Sequence, residues 1–171
     1  MHIQLLQQTA AHMQALRTGA DAYLRLSGYR LADGVLEMAS GPDVSPEFLA
    51  RQETAASADV WLHGFAIVES AEGVVIGLCG YKGPPSQDGV VEIAYGLAPA
   101  YRGRGYATEA AQELVARAFS GGLVRRVIAH TLPELNASTR VLARCGFARL
   151  GDVIDPEDGL VWRWEKQNEM T

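Results

Sequence analysis

The sequence predicts a single α/β domain, residues 1–171, built on one mixed, mostly antiparallel sheet flanked by helices in the order β-α-α-β-β-β-α-β-α-β-β. Three observations carry that prediction. The chain has 171 residues, 48% of them apolar, which is enough for one substantial core. Its middle third holds three apolar, β-branched runs separated by turn-forming residues. Directly after them the apolar period changes from strand to helix, with Ala107, Ala110, Ala111, Leu114, Val115, Ala118 and Phe119 on one helical face.

The elements follow in order. Ile3 to Leu6 reads as a short strand, and Ala10 to Leu26 as a helix with Met13, Leu16, Ala20 and Leu24 at helical spacing. Residues from Gly28 to Pro46 are punctuated by glycines and prolines and read as a loop. A second helix is expected from Pro46 to about Ala58, supported by proline at its first position and Glu47 in its first turn. Trp61 to Glu69 and Val74 to Lys82 form a hairpin around Ala71-Glu72-Gly73, and Val90 to Leu97 completes a three-stranded meander. The long helix is stopped by Gly121-Gly122. Val124 to Thr131 is a strand, Ser138 to Cys145 a short helix, and Ala148 to Ile154 with Leu160 to Glu165 a closing hairpin.

Charge narrows the function classes. The net charge of -5 argues against a nucleic-acid coat or an anionic membrane surface as partner, yet the charge is unevenly spread. Residues 1–99 carry 5 bases and 11 acids, residues 100–149 carry 8 and 3, and residues 150–171 carry 2 and 6. No apolar run reaches the ~20 residues of a membrane span, and the first residues lack signal-peptide zones, so a soluble cytoplasmic protein is expected. Cys79 and Cys145 are expected to pack as small apolar residues, and the four histidines show no metal-ligand spacing.

The most informative segment runs from Leu97 to Ala110 and joins a strand directly to the long helix. Glycines allow close backbone approach, the first N–H groups of a helix lack internal partners, and Arg102 and Arg104 add positive charge. Together they predict a cradle for phosphates. A Walker loop would need Gly-Lys-Ser/Thr, which is absent, and a dinucleotide loop would need glycine where Thr108 stands.

Arg102-Gly103-Arg104-Gly105-Tyr106-Ala107 resembles the acetyl-CoA loop of the GNAT superfamily of N-acetyltransferases, Arg/Gln-x-x-Gly-x-Gly/Ala. The strand Val91 to Leu97, the helix start Ala107-Thr108-Glu109-Ala110, the run His130 to Arg140 and Cys145-Gly146-Phe147 are similar to the ribosomal-protein-acetylating (Rim-type) branch. The resemblance implies a GNAT fold and acetyl-CoA as acetyl donor. It implies that backbone N–H groups of Arg102, Gly103, Arg104, Gly105, Tyr106 and Ala107 hold the pyrophosphate. Leu97 and Ala98 would offer backbone groups to the pantetheine arm and the acetyl carbonyl, and Asn136 would hydrogen-bond the pantetheine. Helix capping is an alternative role for Asn136 and Ser138.

Glu92 is the expected proton acceptor, directly or through a water. Alternation places Val90, Glu92, Ala94 and Gly96 on one face of a strand expected to be covered on both sides, where an unpaired carboxylate is costly. The tyrosine that many family members use to protonate the leaving thiolate is replaced by Leu142, so Ser138 is the substitute expected, while Tyr95 and Tyr106 read as packing or cofactor contacts. His130 on the next strand reads either as a core residue or as part of the site. An acceptor pocket is expected from Tyr23, Leu26, Tyr29, Phe65, Trp162 and Trp164, with Asp152, Asp155, Glu157 and Asp158 nearby; for the two tryptophans, which share a strand face, packing is the preferred reading and lining the pocket the alternative. The reading is an acetyl-CoA-dependent N-acetyltransferase acting on a protein N-terminus or a small amine, as a monomer or homodimer. An acyl-CoA-binding regulator without turnover is the alternative.

Overall fold

Alternating burial of Ile3 and Leu5 marks the first strand of the structure, a computed structural model that describes residues 2–39 and 59–169. β1 (Ile3–Gln7) leads into α1 (Ala10–Thr18) and α2 (Ala20–Ser27), then β2 (Arg30–Leu31) and α3 (Val35–Ala39). After the residues not described come α4 (Val60–His63), β3 (Phe65–Glu69), β4 (Val74–Tyr81) and β5 (Val90–Leu97). A 3-10 turn at Pro99–Tyr101 precedes α5 (Tyr106–Ser120), β6 (Arg126–Thr131), α6 (Ala137–Arg144) and the hairpin β7 (Ala148–Asp155) and β8 (Gly159–Gln167).

The strands form one sheet in the order β1-β3-β4-β5-β6-β8-β7, with β2 pairing onto β4. All neighbours along that order run antiparallel except β5 and β6, which are parallel. Apolar residues fill both faces. Ile93, Leu114, Leu142 and Trp164 belong to the core under α5 and α6, while Leu16, Tyr23, Val35 and Val75 belong to the core under α1 to α3. No helix among the described residues is long and apolar enough to cross a membrane.

Three local readings change. The helix expected from Ala10 to Leu26 is two helices, because Gly19 at φ 148° ends one and starts the other. The strand expected to start at Trp61 starts at Phe65. The Asp59 side chain accepts the Trp61 N–H at 2.9 Å and starts a helical turn, which Gly64 ends at φ 63°. Part of the expected loop after Gly28 is ordered: Arg30–Leu31 pair with β4, and Val35 starts a short helix over that strand. The helix expected from Pro46 to Ala58 lies outside the described residues.

Candidate active site

The sheet opens where the site residues converge. β5 and β6 pair only at Val90↔Arg126, Val91↔Val127 and Glu92↔Ile128, although β5 continues to Leu97 and β6 to Thr131. The resulting slot, about 110 Å³, is lined by Lys82, Ile93, Ala94, Tyr95, Ala129, His130, Ser138 and Leu142. Its lining comes from both faces of the sheet. Ile93, Leu142 and Ala129 belong to the core under α5 and α6, whereas Ala94 and His130 alternate onto the opposite face.

Backbone direction decides which polar groups face the slot. Glu92 turns its carbonyl toward β4, accepting the Lys82 N–H at 2.8 Å, and Ala98 donates its N–H to Ile76 O on the same side at 2.7 Å. Alternation therefore aims the backbone groups of Ile93, Tyr95 and Leu97 toward the slot. Ala98 is fully buried and its carbonyl accepts the Tyr101 N–H at 3.0 Å, so both of its backbone groups are engaged within the protein. Beyond Glu92↔Ile128 the backbone edge of Ile93 and Tyr95 has no strand partner on the β6 side.

The anion turn lies just beyond β5. Gly103 at φ 78° and Gly105 at φ 86° take the left-handed conformation, and a Cβ placed on either would meet nothing within 4 Å. Gly105 is the residue before α5, and the first intrahelical bond runs from Glu109 N–H to Gly105 O, so the N–H groups of Tyr106, Ala107 and Thr108 have no partner within the helix. Arg102 donates its Nε to Leu97 O at 3.1 Å, and the Arg104 guanidinium lies 5.4 Å from the centre of the Tyr101 ring. The open surface, positive φ values and α5 N-terminus together fit a diphosphate group.

On the α6 side, Asn136 caps the helix, its Oδ1 accepting the Thr139 N–H at 3.0 Å in a reciprocal capping box. The Ser138 hydroxyl donates to Tyr95 Oη at 3.4 Å, and Tyr95 donates to the Ser138 carbonyl at 3.3 Å. Burial pushes the Tyr95 phenol up to about 12. Leu142, at the position where the resemblance leads one to seek a tyrosine, is fully buried in the core.

On the other face, Glu92 is the centre of a charged group. Its Oε2 lies 2.9 Å from Lys82 Nζ and its Oε1 3.2 Å from His130 Nδ1. The strand is not closed over at this point, since Ala94 is exposed and the Glu92 side chain keeps 20% of its accessibility. Burial acts to lower the Lys82 pKa, but the hydrogen bond and charge of Glu92 outweigh it and hold the ammonium above its usual value. Asp155 and Asp158 of the last hairpin are near enough for their charge to act on Lys82 as well.

The aromatic residues expected around an acceptor do not gather there. Tyr23 is fully buried with its hydroxyl on Gln8 Oε1 at 2.8 Å, and Phe65 is buried in the core. Trp164 donates to Thr131 Oγ1 at 3.0 Å, while Trp162 packs against the same core beneath the Arg149 guanidinium. Tyr29 packs on the second core and Leu26 lies half-exposed. Tyr106 packs against Tyr101 with ring centres 6.4 Å apart. Cys79 and Cys145 are buried free thiols, both raised chiefly by burial.

Residues 24–148 match the family profile described as "Acetyltransferase (GNAT) domain". The chain is similar to "Uncharacterized N-acetyltransferase YjdG" of Bacillus subtilis (strain 168), 30% identical over 101 residues, which are 59% of this chain and 58% of that protein. The chain thus spans little more than half the length of that curated relative. In fold it is similar to RimL, a ribosomal L7/L12 alpha-N-protein acetyltransferase solved with coenzyme A (TM-score 0.67, 17% identity, covering 100% of this chain and 97% of that one). It is similar too to aminoglycoside acetyltransferase AAC(6')-Ib solved with coenzyme A (TM-score 0.63, 19% identity, covering 98% and 95%).

Proposed function

The chain belongs to the GNAT acetyltransferase family, and on that premise we propose that it transfers an acetyl group from acetyl-CoA to a primary amine by direct attack on the thioester. The observation that carries this reading is the slot between β5 and β6, lined from both faces of the sheet, on the strand that leads directly into the anion turn. Acetyl-CoA supplies an acyl group already activated as a thioester. The turn from Arg102 to Ala107 holds its diphosphate, and the backbone edge of Ile93, Tyr95 and Leu97 pairs with the pantetheine amides, as does the Asn136 amide beyond its capping bond. The donor enters on the α5 and α6 side and the amine on the Glu92 side.

Attack needs the neutral amine, and Glu92 supplies the negative charge toward which its proton is drawn. On the donor side the paired hydroxyls of Ser138 and Tyr95 stand where the thiolate departs, with Ser138 as its proton source. An α-amine, with an unperturbed pKa of about 7.7–8.0, is far easier to deprotonate near neutral pH than a lysine at about 10.4. This favours a protein or peptide N-terminus as acceptor. A small polyamine or aminoglycoside is the second reading, favoured by the closeness of Asp155 and Asp158 to Lys82.

The test incubates the protein with acetyl-CoA and a panel of N-terminal peptides, polyamines and aminoglycosides, following free thiol and the acetylated product. Thiol release dependent on one class of amine is the expected result. Coenzyme A binding without release for every amine would overturn the reading in favour of a non-catalytic acyl-CoA-binding protein.

A further inference from the structure

Glu92 does not line the slot, although its two neighbours do. Lys82 and His130 both border the opening, and the carboxylate lies between them with one oxygen on each. His130 Nδ1 faces Glu92 Oε1 at 3.2 Å, and since an ionised carboxylate offers only acceptors, neutral His130 is expected to carry its hydrogen on Nδ1. That leaves the lone pair on Nε2. The His130 side chain keeps 17% of its accessibility, enough for one edge to meet a ligand in the slot.

We propose that His130 Nε2 is the atom that takes the proton from the attacking amine, with Glu92 fixing the imidazole tautomer and Lys82 holding Glu92 in place. The proposal rests on the acetyltransferase reading and assigns Glu92 a positioning part in it. Atoms and electrons balance without another reactant. The amine nitrogen forms a bond to the thioester carbonyl carbon, the C–S bond breaks, the thiolate leaves with its electron pair, and the amine proton passes to His130 Nε2. The Nδ1 hydrogen stays on the ring, facing Glu92 throughout, and the thiolate takes up a proton on the donor side. An imidazole, with an unperturbed pKa of about 6.5, is a stronger base than a carboxylate at about 4.3.

The charged groups facing the ring come from every neighbouring element. Glu92 reaches it from β5 and Lys82 from the end of β4, both through the contacts above. Arg163 is its register partner on β8, and Asp155 of β7 interacts electrostatically with it. Two cations and two anions surround the ring, so the effect of each can be read by removing it.

The test is the pH profile of kcat, with amine and acetyl-CoA saturating, for wild type, His130→Gln, Glu92→Gln and Lys82→Met. His130→Gln is expected to lower kcat by about 10²–10⁴-fold, to leave the KM for acetyl-CoA unchanged and to erase the acidic limb. Glu92→Gln is expected to keep that limb with a smaller loss of kcat, and Lys82→Met to keep it with a smaller loss still. A limb that survives in His130→Gln and vanishes in Glu92→Gln would overturn the proposal while leaving the acetyltransferase reading intact. Absence of thiol release by the wild type with every amine would overturn both. Nitrogen-15 NMR of the wild-type protein provides a readout independent of turnover. The expected Nδ1–H tautomer of His130 supports the pairing, and a dominant Nε2–H tautomer would overturn it.

Discussion

Arg102 Nε donates to the Leu97 carbonyl oxygen at 3.1 Å, tying the start of the anion turn to the end of the strand that borders the slot. The side chain that adds charge to the turn therefore also sets the shape of its backbone. Replacing Arg102 and Arg104 together with alanine is expected to raise the Kd for coenzyme A roughly tenfold or more, as charge-assisted contacts contribute about 1.5–3 kcal/mol and each 1.4 kcal/mol is tenfold. Arg117 lies elsewhere, engaged with Glu113 at 2.9 Å, and Arg144 lies in the last turn of α6. The Arg117→Ala, Arg144→Ala pair should change the same Kd by less than about threefold. Isothermal titration calorimetry at fixed salt makes the comparison, and equal losses for the two pairs would mean that the basic stretch from 100 to 149 acts only as a diffuse charge.

Gly105 combines two demands, a left-handed backbone at φ 86° and a bare surface over the first turn of α5. Gly105→Ala is expected to destabilise the fold by about 1–2 kcal/mol, the cost of placing a Cβ in that region. It should also weaken coenzyme A binding. Gly121, at φ -79° and with nothing within 4 Å of where a methyl group would stand, is the control. Gly121→Ala should be neutral or stabilising by about 0.4–1 kcal/mol through the unfolded state. Urea melts of both variants check the pair.

Much of this site is legible in residue order because it is built from short-range rules. The strand Val90–Leu97 begins and ends where alternation places it, and α5 begins one residue before the first residue of the apolar pattern. The positive φ values fall on Gly103 and Gly105 because glycine is the residue that adopts them without cost. What sequence periodicity misses is pairing between distant strands. Nothing local marks Glu92↔Ile128 as the last β5–β6 pair, so neither the slot nor the exposed edge of Ile93 and Tyr95 is visible. The Lys82–Glu92–His130 contacts arise from three strands meeting in one register. Tyr23 and Phe65 mislead for a related reason: an aromatic side chain reads alike whether it lines a pocket or fills a core.

Stability at high pH is expected to fall from about pH 10 upward. Burial raises the phenols of Tyr23 and Tyr95 to about 12 and also raises that of Tyr81 well above its usual value, while Glu92 holds Lys82 above its usual value against the effect of burial. Above the unfolded pKa the unfolded chain loses these protons while the native state keeps them. The native state then binds more protons, so unfolding becomes easier as pH rises through the window from about 10 to about 12. For Tyr95 alone the shift from 10.0 to about 12 corresponds to about 3 kcal/mol. Tyr95→Phe removes the titrating group, so its ΔG should decline less steeply between pH 9 and 11 than that of the wild type in chemical denaturation. Parallel curves would show that the phenol titrates alike in both states.

Gly77 links the packing of the sheet to the geometry of the anion turn. It lies opposite Leu97 in the β4–β5 register, and a Cβ there would collide with the Gly96 carbonyl oxygen while standing 3.1 Å from Leu97 Cα. Both obstacles are backbone, so a rotamer change cannot relieve them and the strands would have to part. Gly77→Ala is expected to cost about 1–3 kcal/mol or more, as overpacking in a closely packed interior does. The displacement falls on Leu97, whose carbonyl anchors Arg102, so the variant should lose coenzyme A affinity at temperatures where it is still folded. Calorimetry below the unfolding transition separates the two effects. Lower stability with an unchanged Kd would show that the turn keeps its shape independently of the strand that leads into it.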